Sequence, residues 1–266
     1  MDVWTDPPIP FPFEPCSVWD SFVIVLFTDF GLEDPYVGQL HAVLVQQAPQ
    51  VPVIDLFHGV PKFDIRAGAY LLPAYASAFP ENSVFLCVVD PGVGTTRAGV
   101  ILQADGQWYV GPDNGLFHIL ARRARARQTH VITWRPSHLS VSFHGRDLFA
   151  PVAAMLARGE RPPCELAELT RPSGSQWPDD LAQVLYIDHY GNAVTGLRAV
   201  TLGTDRILKI GKHKLRYQRV FADAPEGEGF WYENANGLAE VAVNRGRADK
   251  VLQLRLGDGI TIERTT

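Results

Sequence analysis

From residue 22 to about 170, the apolar positions alternate between two periods. "FVIVLFTD" (22–29) is a continuous β-branched and apolar run that stops on Thr28-Asp29, the pattern of a buried strand. Tyr36, Val37, Leu40, Val43, Leu44 and Ala48 then fall on one helical stripe. "VPVIDLF" (51–57) predicts a second strand, and 64–79 a helix interrupted by Pro73. Residues 83–89 predict a third strand. Residues 100–104 and 107–110 pair across Asp105-Gly106, a dipeptide suited to a two-residue hairpin turn. Residues 116–125 read as helical, 130–134 as extended and 147–158 as helical. Such alternation predicts a layered α/β sheet with mostly parallel strands.

"TRPSGSQWPDD" (170–180) breaks this rhythm with Pro, Ser, Gly and Asp, and marks a boundary. Beyond it, "QVLYIDHYGNAVTGL", "RILKIGKHKLRY", "GEGFWYENANGLAEVAV" and "KVLQLRLGDGITIE" are short alternating segments separated by Gly turns. They predict a smaller all-β domain, a sandwich or a barrel. The expected organisation is an irregular arm over 1–21, an α/β domain over 22–172 and a β-domain over 182–266.

Composition narrows the function classes. The 266 residues are 46% hydrophobic and 20% charged, which is globular. A net charge of −5 offers no basic groove for nucleic acid or anionic lipid. Cys16, Cys87 and Cys164 are far apart and lack a C-x-x-C pair, which points to a reducing cytoplasm rather than a disulfide or zinc scaffold. No apolar run reaches the roughly 18 residues needed to span a bilayer. "MDVWTDPPIPFPFEP" lacks the basic start of a secretory signal, so an arm packed on a neighbour is expected.

The candidate chemistry sits at strand ends, where ligands of layered α/β sheets bind. The first strand ends at Asp29 in "TDFG" and the third at Asp90 in "VVDPGVGTTR", with Arg97 seven residues later. Taken alone, each acid reads equally well as a turn or cap residue. "GPDNGLF" (111–117) reads as a turn and helix cap. "VSFHGRDLF" (141–149) places His144 and Arg146 before a helix, and "IDHYGNAVTG" (187–196) sets Asp188 and Asn192 around a turn at Gly191. In "GFWYENANG", strand alternation sends Phe230 and Tyr232 to one face and Trp231 to the other. The "DFG" stands without the other kinase loops, and "GVGTTRAG" lacks the G-K-[ST] of a phosphate-binding loop. No spacing of acids and histidines supports a metal site.

Together, "FTDFGLEDPYVGQLHAVL", "VVDPGVGTTR", "VGPDNGLF", "FHGRDLFAPVAA", "IDHYGNAVT" and "ENANGLAEVAVNRG" resemble the S-adenosyl-L-methionine (SAM) hydrolases, or SAM hydroxide adenosyltransferases, which share a superfamily with fluorinases and chlorinases. The resemblance implies an α/β domain followed by a β-barrel-like domain, and a homotrimer with active sites between subunits. The reaction it implies is SAM plus water giving adenosine and L-methionine, with no cofactor and no metal. It maps an Asp–Arg–His catalytic set onto Asp90, Arg97 and His144, with His144 accepting or relaying a proton.

For the substrate, the resemblance implies Asp29 on the ribose hydroxyls, Gly145 in the pocket, Asp188 on the methionine ammonium and Asn192 on the adenine edge. Phe230 is its candidate for stacking on adenine, with Trp231 and Tyr232 as rivals. The chain has Ala235 where the family often has Ser, which leaves the methionine carboxylate to the backbone N–H of Ala235 or Asn236. Gly196 stands where Asn is usual. The halogenating relatives carry an aromatic residue at position 90, whereas Asp90 here would repel a halide. The alternatives are a halide-dependent adenosyltransferase and a non-catalytic binder of SAM or adenosine.

Overall fold

The computed structural model describes residues 22–170 and 177–264. The expected arm over 1–21 and most of the linker lie outside the described residues.

The first sheet is built from β1 (Ile24–Thr28), β2 (Val53–Phe57), β3 (Val84–Val88), β4 (Gly99–Ala104), β5 (Gln107–Pro112), β6 (Arg127–Ile132) and β7 (Cys164–Ala167), in the order β2-β1-β3-β5-β4-β6-β7. Helices α1 (Tyr36–Gln47) and α4 (Ala150–Ala157) cover one face, and α2 (Ile65–Ala76) and α3 (His118–Arg123) the other. Strand periodicity divides the core. Ile24, Leu26, Val84 and Leu86 pack towards α1 and α4, while Val25, Phe27, Phe85 and Cys87 face the opposite layer.

The expectation of mostly parallel strands needs correction. β2, β1, β3 and β5 pair in parallel, but β5–β4, β4–β6 and β6–β7 are antiparallel. The reason is local. Asp105 (φ 46°) and Gly106 (φ 83°) form a two-residue turn, which joins only antiparallel neighbours. A second difference concerns Pro73, which lies inside α2 without breaking it. The helix starts cleanly, because Asp64 Oδ1 accepts the Ala67 N–H at 2.9 Å.

The second sheet contains β8 (Leu181–Ile187), β9 (Ala193–Arg198), β10 (Arg206–Ile210), β11 (His213–Tyr217), β12 (Gly229–Glu233), β13 (Leu238–Val243) and β14 (Ile260–Arg264). Its order is β14-β10-β11-β12-β13-β9-β8, antiparallel except for β11–β12. The sheet curls until its edges meet: the Val184 N–H donates to Asp258 O and the Gly257 N–H to Val184 O, both at 2.9 Å. The result is barrel-like rather than a sandwich, with two four-residue helices, α5 (Ala199–Leu202) and α6 (Ala248–Val251), at its margin.

The two domains share a core. Leu181, Leu185, Val194 and Leu238 join the cluster around α2 and α3, and the Phe57 and Tyr186 rings meet edge to face at 4.8 Å. Among the described residues no helix is long and apolar enough to cross a membrane.

Candidate functional site

Strand β3 explains why a carboxylate is delivered into a glycine loop. Its buried run carries Val89 to the sheet end, where the Asn114 amide N–H donates to Val89 O at 2.8 Å. Asp90 follows, and the loop turns through Gly94 at φ 80°. A Cβ on Gly94 would stand 2.4 Å from Val141 O, so the 91–96 loop packs on the 140–143 loop only with glycine there.

The chain thereby returns Arg97 to Asp90. Arg97 Nε donates to Asp90 Oδ1 at 2.8 Å, and Nη2 donates to Asp90 Oδ2, a bidentate pair with the two side chains 10% and 5% exposed. The same Nη2 donates to His144 Nδ1 at 3.1 Å, and the guanidinium lies over the Phe149 ring at 5.2 Å. The three residues expected to act together do meet.

His144 sits where the chain enters a π turn, Gly145–Phe149, that continues into α4. Asp147 fixes that entry by accepting the Ser140 N–H at 2.9 Å and pairing with Arg146. Burial, then the neighbouring Arg97 charge, holds the His144 pKa below the usual histidine value. A guanidinium has no lone pair to offer, so Nδ1 must accept and neutral His144 carries its proton on Nε2.

Asp29, Asp90, His144 and Gly145 line one cavity of about 330 Å³, together with Asp34, Lys62 and Phe63. Asp29 Oδ2 accepts the Phe63 N–H at 2.9 Å. Burial raises the Asp29 pKa, and the nearby Asp90 charge adds to that rise against the opposing backbone bond.

The remaining candidates lie elsewhere. Asp188, Asn192, Ala235 and Asn236 line a second cavity, of about 830 Å³, that shares no lining residue with the first. Asp188 and Asn192 hold each other: the Asn192 N–H donates to Asp188 Oδ1 at 2.7 Å and its amide to Oδ2 at 3.3 Å. The turn between them requires Gly191, at φ 86°, where a Cβ would meet Asp249 Oδ1 at 2.5 Å. The Asn236 N–H donates into its own turn, to Asn234 Oδ1 at 2.9 Å.

Phe230 is placed differently from its expected role. It is 1% exposed and does not line the cavity; the rings that do are Tyr190, Phe221 and Tyr232. Alternation along β12 nevertheless holds: Phe230 and Tyr232 cluster with Phe221 on one face, while Trp231 enters the barrel core.

Glu240, which sequence reasoning passed over, is 5% exposed yet lines this cavity, accepting the Asn234 amide at 2.8 Å and the Tyr232 hydroxyl. Burial, then the bond to Glu240, pushes the Tyr232 hydroxyl well above its usual range. The available signal was a lone acid inside the apolar strand "LAEVAV".

The N-terminal domain of the SAM hydroxide adenosyltransferase family matches residues 24–166, and its C-terminal domain matches residues 182–261. The chain belongs to the SAM hydroxide adenosyltransferase family. It is similar to the (R)-S-adenosyl-L-methionine hydrolase of Thermus thermophilus, at 41% identity over 88% of this chain and 96% of the relative. The enzyme of the same name from Salinispora arenicola is 39% identical over 92% and 97%. Fluorinases are more distant, with the Actinopolyspora mzabensis enzyme at 26% identity over 91% and 97%. A solved structure of an uncharacterised conserved protein from Thermotoga maritima superposes with a TM-score of 0.81, at 31% identity over 91% of this chain and all of that one. The two-domain architecture is thus that of the family's structural neighbours.

Proposed function

We propose that the protein hydrolyses S-adenosyl-L-methionine at ribose C5′, giving adenosine and L-methionine. The observation that carries this reading is Arg97 clamped between Asp90 and His144 at the edge of a cavity lined by Asp29, Asp34 and Asp90, in a chain so similar to curated hydrolases.

The C5′–S bond breaks with its electron pair going to sulfur, which neutralises the sulfonium. The leaving group therefore needs no acid, and catalysis falls on the water. Arg97 stabilises hydroxide character on the attacking oxygen. His144 Nε2–H donates to that oxygen and helps orient it; with Nδ1 engaged by Arg97, the ring does not act as the acceptor. Asp90 takes the proton on a carboxylate lone pair left over from the Arg97 pair. Orienting the water for in-line attack adds to this, since effective molarities of about 10⁵ M or more are reached by well-placed pairs.

Asp29 binds the ribose diol, Asp188 the methionine ammonium and Asn192 the adenine edge. Of the two backbone donors considered for the methionine carboxylate, Ala235 N–H is retained, because Asn236 N–H is used within its turn. Tyr232 replaces Phe230 as the adenine-stacking ring. These residues stand in two cavities of one chain, so the complete site is composed between copies. The first domain of one protomer faces the second domain of the next in a homotrimer. Leu32, Phe63 and Val141 beside the first cavity and Tyr190 beside the second are all more than 70% exposed, which suits burial against a neighbour.

Purified protein incubated with SAM, without metal or halide, is expected to release adenosine and methionine, with ¹⁸O from labelled water in the adenosine 5′-hydroxyl. Unlabelled adenosine, or bound SAM without turnover, would sink the proposal.

The pH profile follows from His144. Its pKa lies below the ordinary histidine value, so kcat is flat through neutrality and falls with acid at a midpoint below about 6.5. Protonation puts an N–H on Nδ1 facing the Arg97 guanidinium. His144→Asn keeps an acceptor there without titrating, so its kcat profile is expected to lose that acid limb. An unchanged limb would assign the titration to another group. Asp29, whose pKa is raised, acts on KM instead.

A further inference from the structure

We propose that His58 is a positioning residue for the Asp29 carboxylate, acting through Thr28. The inference rests on the reading of Asp29 as the ribose-binding group.

His58 follows the edge strand β2 and is 6% exposed. Its Nε2 meets Asp55 Oδ1 at 3.1 Å and its Nδ1 meets Thr28 Oγ1 at 2.8 Å. His41, on α1, bonds the same Asp55 oxygen at 2.8 Å. Burial acts to raise the Asp55 pKa, but the bonds from His41 and His58 outweigh it, and the carboxyl lies below its usual value.

An ionised carboxylate only accepts, so His58 Nε2 donates. In the neutral ring Nδ1 then accepts the Thr28 hydroxyl, whose oxygen is left to accept the Phe30 N–H at 3.2 Å. Each bond from the Phe30 N–H through Thr28 and His58 to Asp55 Oδ1 then has one donor and one acceptor. Thr28 is fully buried, which rules it out as a nucleophile despite the Thr–His–Asp order.

The bonds converge on one short segment. His58 O accepts the Gly31 N–H at 2.8 Å, and Thr28 O accepts the Val60 N–H at 3.3 Å. His58 therefore holds residues 28 and 31, on both sides of Asp29-Phe30, by its side chain and its backbone. The same loop supplies the Phe63 N–H to the Asp29 carboxylate, with Phe63 in the left-handed region at φ 65°. Asp29 lies just past the end of β1, and this clasp sets its direction. A satisfied core histidine would need only its two side-chain bonds; this one brackets the carboxylate assigned to the ribose.

The test is steady-state kinetics on SAM with the full chain. His58→Leu is expected to raise KM about tenfold, the scale of one lost buried hydrogen bond, with kcat within about threefold. His58→Asn, whose amide oxygen sits near the place of Nδ1, is expected to restore most of the affinity. Thr28→Val, nearly isosteric, should reproduce the leucine phenotype, and the two should not add. In an Asp29→Asn background, His58→Leu should have no further effect on KM.

An unchanged KM in folded His58→Leu and Thr28→Val overturns the relay, and so does a full additional effect on top of Asp29→Asn. If Asp29→Asn itself leaves KM unchanged, the ribose reading falls and the relay falls with it. If Asp29→Asn raises KM and the relay variants do not, only the relay is lost.

Discussion

Replacing Arg97 with alanine is expected to lower kcat about 10²–10³-fold, the usual loss when one preorganised donor to a developing oxyanion is removed. SAM affinity should change little, because no contact assigned to bound SAM involves this residue. The same change leaves the Asp90 carboxylate, 5% exposed, without its partner. Breaking a buried pair from one side costs about 3–5 kcal/mol, so a lower melting temperature is expected as well.

Arg97→Lys separates the two effects. It restores a charge next to Asp90 and hence much of the stability. A lysine point charge cannot serve both Asp90 oxygens and His144 Nδ1 in the fixed fork of a guanidinium, so turnover should stay low. The checks are single-turnover rates of adenosine formation alongside thermal melts. A folded Arg97→Ala protein turning over within threefold of the parent would remove Arg97 from the chemistry.

The second large effect is complementation. Asp90→Ala disables the first half of each site and Asp188→Ala the second, so each variant alone should be nearly inactive. If sites form between copies, dissociating an equal mixture and reassembling it should restore activity. A working site needs an intact first domain from one chain type and an intact second domain from the other. Random assembly in a closed, head-to-tail ring gives that in about one quarter of sites, so roughly a quarter of parental activity should return. Mixed protein that stays inactive while light scattering reports a trimer would show that each chain builds its own site. A fully active monomer at high dilution would do the same.

Much of this was legible in the chain because it depends on local order. The two-residue hairpin at Asp105-Gly106, the stripe of Val37, Leu40 and Leu44 on α1, and the alternation that sends Trp231 inward follow from backbone sterics and side-chain period. The meeting of Asp90 and Arg97 is also close to local, since seven residues and a glycine turn separate them. Other features were not legible. Phe230 and Tyr232 share a face, yet only packing against Phe221 and Ala242 shows which ring is buried. Glu240 is one acid in an apolar strand until Tyr232 and Asn234 are seen to close on it.

By itself, then, the sequence determined the element types, the two-domain order and the residues available at the strand ends. These are set by periods of two and 3.6 residues and by turn chemistry within a few positions of each other. Only the tertiary structure decided the antiparallel half of the first sheet, the tautomer of His144, the bracket that His58 places around Asp29 and the division of the candidate site between two cavities. Each depends on which distant segments meet and how deeply they are buried, and a local pattern carries no record of its non-local partners.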